Sequence, residues 1–258
     1  LDKINEIKSE DPDAYKKVAE KVAFDESEMD TWKNIKDNMI LLYDDKTKLF
    51  EQHDGFFKLP HLDVDSIPIS DFPLYDNWSY DRIYRNDMIK QPDVLMFMLL
   101  FISKFSQEQL KANYEYYEPC CIHESSLSPS VHSILASQLK KDDEAYDFFG
   151  FATRLDLDNY NRNTNQGIHT TSIAAAWMNI VYGFGGLRSD GEKLSVAPSI
   201  PKNWGGYSFN ISYKGVVIEI KVDKENVYIK TKGDGVVELS VYGKDVEINS
   251  EGYKCEVE

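Results

Sequence analysis

Two stretches concentrate small polar and imidazole side chains beyond what a packing surface needs. They are Cys121-Ile122-His123-Glu124-Ser125-Ser126-Leu127-Ser128-Pro129 and Asn163-Thr164-Asn165-Gln166-Gly167-Ile168-His169-Thr170-Thr171-Ser172. Each lies where an irregular segment runs into an apolar, helix-periodic one. A helix start exposes unpaired backbone N–H groups, and hydroxyls and an imidazole added there make a cradle for phosphate or another oxyanion without many cations. The same hydroxyls could simply cap two helices while the histidines pack. A serine-hydrolase reading lacks the Gly-x-Ser-x-Gly elbow and a strand before either serine. A metal site from His123, Glu124 and His169 lacks a His-Glu-x-x-His spacing, and no cysteine is expected to join it. Lys90-Gln91 before Pro92 offers a point charge and an amide at a helix start, suited to sugar hydroxyls or merely solvated. Arg154 with the run Asp156 to Asn163 is a polar network or a plain loop, and His53-Asp54-Gly55-Phe56-Phe57 reads first as a turn.

The elements that must position these groups are mostly helical. Periodicity predicts helices over residues 12–24, 25–43, 92–105, 106–117, 128–139, 140–157 and 169–184, about seven before residue 185. Residues 44–87, with Pro60, Pro68 and Pro73, read as a long irregular connection. After Gly183-Phe184-Gly185-Gly186-Leu187-Arg188 the period becomes two. Residues 207–213, 216–222, 226–231 and 237–242 alternate between turn formers, predicting an antiparallel β module.

Composition narrows the function. The 258 residues are long enough to bury a core, and 13% aromatic content argues against disorder. With 29 Lys and Arg against 44 Asp and Glu, the net charge of −15 repels nucleic acid and anionic lipid. The charge is uneven, −13 over residues 1–190 and −2 over 191–258. The longest apolar run, Val94 to Ile102, is too short to span a membrane, and the N-terminus lacks a signal-peptide core. Cys120, Cys121 and Cys255 suit neither a disulfide framework nor a zinc site and are expected as free thiols in a cytoplasmic protein. The start at Leu1 suggests a fragment.

Taken in order, Lys90-Gln91-Pro92-Asp93-Val94, Ile122 to Pro129, Arg154-Leu155-Asp156-Leu157-Asp158-Asn159, Gly167 to Ser172 and Gly183 to Arg188 resemble glycoside hydrolase family 65. That family holds maltose, trehalose, kojibiose and nigerose phosphorylases. The resemblance spans essentially the whole chain, and the His-Glu-Ser-Ser-Leu-Ser-Pro and Gly-Phe-Gly-Gly-Leu-Arg segments are quite specific. It implies a mainly α chain with a β module: residues 1–186 as the later part of an (α/α)6 barrel, then a small C-terminal β-sandwich domain over 187–258. The implied reaction is inverting phosphorolysis of an α-glucosidic disaccharide to β-glucose 1-phosphate. Ser125, Ser126, His169 and Thr170 would hold phosphate, Lys90 and Gln91 would contact glucose hydroxyls, and His123 and Glu124 would support that shell. No cofactor or metal is implied; inorganic phosphate is co-substrate.

The family's catalytic glutamate sits in an earlier Glu-Tyr-His-like motif, which this sequence lacks, so the 258 residues alone are expected to be inactive. A homodimer, or association with the missing N-terminal part, is expected of partners. The Ala174-Ala175-Ala176 run stands where many members have an Ala-Gly step, which bears on the pocket wall. A hydrolase of the same architecture and a noncatalytic carbohydrate-binding or scaffold fragment are the competing readings.

Overall fold

The computed structural model describes residues 1–160 and 162–258, Gln166 through its backbone alone. Asn161 in the Asp156–Asn163 run and the Gln166 side chain in the 163–172 segment therefore lie outside the described residues. Leu1–Leu42 form one compact unit and Tyr43–Glu258 another.

The first unit is three helices, α1 (Asp2–Glu10), α2 (Pro12–Val22) and α3 (Ser27–Asp37). Helix α1 precedes the first helix that periodicity predicts, at Pro12, because its mostly polar residues carry little periodic signal. Asp11 separates the first two helices: its carboxylate accepts the Ala14 N–H at 2.9 Å while Pro12 fills the first turn, where no N–H is needed.

In the second unit the expected irregular connection holds a small hairpin, β1 (Tyr43–Asp44) with β2 (Leu49–Phe50), and two short helices, α4 (Leu74–Asn77) and α5 (Tyr80–Tyr84). The apolar stretch after Pro92 becomes α6 (Asp93–Leu100) plus a separate 3₁₀ turn at Ile102–Lys104, shorter than the continuous helix expected. Then come α7 (Gln107–Tyr117), α8 (Ser128–Gln138), α9 (Asp142–Arg154) and α10 (Thr170–Met178). A complete capping box, Ser106 with Gln109, starts α7. The last predicted helix does not run regularly to residue 184; Asn179–Phe184 widen into a π-helical turn.

Helix α8 is almost wholly buried from Ser128 to Ser137, including its serines and His132. It packs on α6, α7, α9, α10 and the π turn. The helical core gathers Leu95, Met98, Tyr114, Tyr117, Leu135 and Phe184 among others. The β region has its own core of Ile218, Ile220, Val222, Val227, Ile229 and Leu239. Its strands are β3 (Ser195–Val196), β4 (Gly206–Tyr213), β5 (Val216–Asp223), β6 (Asn226–Lys232), β7 (Val237–Val241), β8 (Lys244–Ile248) and β9 (Tyr253–Glu256). They form an antiparallel sheet ordered β4-β5-β6-β9 and a three-stranded sheet ordered β3-β7-β8. The β3–β7 pair is parallel, so the module is mixed rather than purely antiparallel: β3 follows a turn closed by the antiparallel Arg188–Ser195 bridge and then pairs with β7, distant in sequence, rather than with a neighbouring strand.

The Gly-Phe-Gly-Gly segment makes the join between helix and strand. A side chain at Gly186, where φ is +57°, would meet the Ala197 backbone, and one at Gly185 would meet Val181 and the Phe209 ring. Arg188 then donates to the Tyr182 carbonyl at 2.5 Å and to Gln138 Oε1 at 2.6 Å, tying the end of α8 to the π turn. Among the described residues no helix is long and apolar enough to cross a membrane.

Candidate functional site

Chain segments far apart in sequence are stitched together at Ile89 and Cys121, which form a parallel bridge. The Ile89 N–H donates to the Cys120 carbonyl at 2.8 Å, and the Ile122 N–H donates to the Ile89 carbonyl at 3.0 Å. Two backbone bonds thereby set Lys90-Gln91 beside His123-Glu124. Burial pushes the Glu124 carboxyl up, while the Leu74 N–H, donated to Oε1 at 2.5 Å, and the charge of Lys90 hold it down. The Lys90 ammonium also lies 5.1 Å from the centre of the Tyr75 ring, whose phenol burial pushes up, with nearby Asn163 drawing it back down. Lys90, Tyr75, Glu124 and Asn163 therefore form one polar neighbourhood.

From His123 onward the loop folds into its own helix. His123 itself has φ of 51°, a left-handed conformation uncommon outside glycine. The Ser125 carbonyl accepts the Ser128 N–H at 3.2 Å and the Ser128 hydroxyl at 3.1 Å, and Ser125 Oγ accepts the Leu127 N–H at 3.3 Å. Ser125 and Ser128 are buried, whereas Ser126 is half-buried.

The start of α10 is built differently. Asp156, in the turn after α9, accepts the His169 backbone N–H on Oδ2 at 2.9 Å and its Nδ1–H on Oδ1 at 2.5 Å. A carboxylate can only accept, so the imidazole proton resides on Nδ1 and the ring is locked in that tautomer. The His169 hydrogen bond holds the Asp156 carboxyl below its ordinary range. Thr170, the first residue of α10, is exposed, while Ser172 is buried and donates its hydroxyl to the Ala152 carbonyl at 3.0 Å. In the sequence alone Asp156 sits within a polar run that has no assigned partner. Its signal was an acidic residue available to a helix start, but thirteen residues of separation hid the partner.

A cleft of about 800 Å³ opens beside these segments, lined by His61, Asp65, Phe72, His123, Glu124 and Arg162 among others. Of the residues expected to form a site, His123 and Glu124 line it. Lys90, Gln91, Ser125, Ser126, His169 and Thr170 are not among its lining residues. Arg162 reaches back to donate to the carbonyls of Ile69 and Phe72. Arg154 pairs with Asp158 on the surface, and Gly55, with φ of 87°, makes the expected turn after His53. Ala174 and Ala175 line a separate apolar cavity of about 330 Å³ against Leu100, Val131, Ile134 and Tyr182. The metal set of His123, Glu124 and His169 does not assemble among the described residues; His123 groups with Cys121 and His132 instead.

Comparison with known proteins agrees along the whole chain. Residues 3–178 match the glycosyl hydrolase family 65 central catalytic domain, and residues 187–248 match that family's C-terminal domain. The α,α-trehalose phosphorylase of Thermoanaerobacter brockii is 42% identical over 242 residues, covering 94% of this chain and 31% of the relative. The maltose phosphorylase of Bacillus subtilis is 41% identical over 231 residues, covering 90% and 30%. A solved structure described as "Putative kojibiose phosphorylase from human microbiome" superposes with a TM-score of 0.87 at 50% identity, covering 98% of this chain and 35% of that one. The chain thus spans about a third of the length of the curated relatives it matches.

Proposed function

Because the chain belongs to glycoside hydrolase family 65, we propose that it is the phosphate-holding portion of an inverting disaccharide phosphorylase. In that reading residues 1–186 are the later helices of an (α/α)6 barrel and 187–258 its C-terminal β domain. The observation that carries the proposal is the Asp156–His169 pair at the start of α10. Asp156 fixes the ring's plane and keeps the proton on Nδ1, leaving Nε2 to accept the P–OH proton of hydrogen phosphate held beside the first N–H groups of the helix. Ser125, Ser126 and Thr170 supply the remaining hydroxyls and N–H groups of the cradle.

The reaction follows the inverting glycosidase scheme with phosphate in place of water. A carboxylic acid protonates the glycosidic oxygen as its bond to the anomeric carbon breaks. A phosphate oxygen forms the new bond from the opposite face, giving β-glucose 1-phosphate and a released sugar. Phosphate is already anionic at neutral pH, so no second carboxylate is needed to activate it; the protein must hold it in line. Lys90 and Gln91 hold glucose hydroxyls, with Glu124 and His123 behind them. Glu124 is anchored to the Leu74 N–H and is not assigned as the acid. The acid belongs to a part of the enzyme outside these residues, so the 258-residue chain alone is inactive.

Calorimetric titration of inorganic phosphate tests the reading, repeated with His169→Ala and Ser126→Ala. Saturable binding that both substitutions weaken is the expected result. Undiminished binding in both variants would remove the cradle from these residues. Turnover of any α-glucobiose by the chain alone would overturn the division of labour.

A further inference from the structure

Beneath the loop that carries Glu124 and Ser125 lies a second group of side chains, which shares His123 with the proposed sugar-side shell and adds Cys121 and His132. One ligand-type atom each from Cys121, His123 and His132 lie within 4.8 Å of one another. The donor set is one sulfur and two imidazoles, which suits zinc-class cations and not magnesium or calcium.

The hydrogen bonds around Ser128 decide where the protons sit. His132 Nδ1–H donates to the Ser128 carbonyl at 2.8 Å, so the lone pair is on Nε2. That Nε2 is buried and has no hydrogen-bond partner among the described residues, and orphaned buried acceptors of this kind are rare in native proteins. His123 Nδ1 lies 3.2 Å from Ser128 Oγ, whose own proton goes to the Ser125 carbonyl, so His123 donates there and its Nε2 also keeps a lone pair. An imidazole that donates one N–H to a neighbouring oxygen and keeps the other nitrogen bare is the usual arrangement of a metal ligand.

The surroundings favour the unprotonated rings. Phe148 lies 5.0 Å from the His123 ring and 5.1 Å from the His132 ring, and the two imidazoles sit 4.7 Å apart. Burial pushes both down, His123 to about 3 and His132 to about 4. The Cys121 thiol is raised by burial to about 12, so a cation entering here would displace one proton from sulfur. The neighbouring group of His61, Asp87 and Cys120 lacks this character: His61 Nδ1 already meets the Asp87 carboxylate at 2.7 Å.

We infer that Cys121, His123 and His132 form a binding site for a zinc-class cation, entered from the cleft that Cys121 and His123 line. The metal would be held by the Cys121 thiolate and the two imidazoles, with a fourth position left for water. The cation site shares His123 with the proposed sugar-side shell but does not require phosphate to be bound there.

Cobalt(II) titration of the whole chain tests it through the thiolate-to-cobalt absorption band, with zinc as competitor. The expected result is a one-to-one band, displaced by zinc, retained in Cys120→Ser and weakened by about tenfold or more in Cys121→Ser. No band in the wild-type chain, or a band that survives in Cys121→Ser, would overturn the inference. A band lost in Cys120→Ser alone would move the metal to His61 and Asp87 and overturn it equally. Should Cys121→Ser fail to fold, alkylation of the wild-type chain read by mass spectrometry decides: zinc must protect Cys121 and not Cys120, and equal rates with and without zinc would sink the site.

Discussion

The starts of α8 and α10 carry similar residue types and do opposite things with them. At α8 the hydroxyls and imidazoles turn inward. Ser128 and His132 have no solvent exposure, and Ser128 serves both histidines and Ser125 at once. At α10 the imidazole stays near the surface, with 19% of the His169 side chain and 22% of the Asp156 side chain exposed, and one carboxylate provides its whole orientation. The first is a platform whose polar groups answer to the fold. The second is a contact group left available to a ligand. Substitutions of the buried Ser128 and His132 should therefore be read in stability, and those at the start of α10 in binding.

The largest expected effect is acid sensitivity centred on α8. His123 and His132 are held neutral in the folded chain, at about 3 and about 4, but take up protons near pH 6.5 once unfolded. The unfolded state thus binds more protons between these limits, and stability falls as pH drops from about 6.5 toward 4. The slope approaches about 1.4 kcal/mol per pH unit for each ring. Denaturant titrations at stepped pH check this, and a flat profile over that window would place the rings in water. Asp156 behaves as a depressed carboxyl: its contribution is present above about pH 4 and is lost as pH falls further.

Next in size is His169→Ala, expected to weaken phosphate binding or, in the complete enzyme, turnover by about 100-fold while leaving the melting temperature nearly unchanged. A large loss of stability with intact phosphate binding would reverse the contrast between the two helix starts. Ser128→Ala should do the converse. It removes the hydroxyl between His123 and the Ser125 carbonyl in a fully buried position, costing about 2 kcal/mol and several degrees of melting temperature.

The smallest and most discriminating change is Asp156→Asn. The amide oxygen can still accept the His169 N–H and cap the helix, but its NH₂ turns toward Nδ1 and drives the ring proton to Nε2. Nitrogen-15 NMR of the His169 ring should show the reversed tautomer, with phosphate affinity down by about tenfold and little thermal shift. An unchanged tautomer would reduce Asp156 to a cap.

The sequence by itself determined the helical order, the change to a period of two after Gly186, and the loop-to-helix positions of both polar segments. Each of these rests on local periodicity, on caps such as Ser106, or on glycines whose backbone no other residue could replace. The motif segments also sufficed to place the chain in its family. Local pattern misjudged the places where neighbours override propensity: α1 escaped notice, α6 ended early, and the helix after Thr170 opened into a π turn.

Only the tertiary structure decided which polar groups meet. The Ile89–Cys121 bridge set Lys90 against Glu124, and the turn after α9 delivered Asp156 to His169. The fold of α8 against the loop before it separated adjacent Cys120 and Cys121 into different clusters. The physical reason is one of range. Periodicity and capping act within a few residues, whereas a hydrogen bond such as Asp156–His169, or a backbone bridge such as Ile89–Cys121, exists only after packing has fixed where each backbone runs.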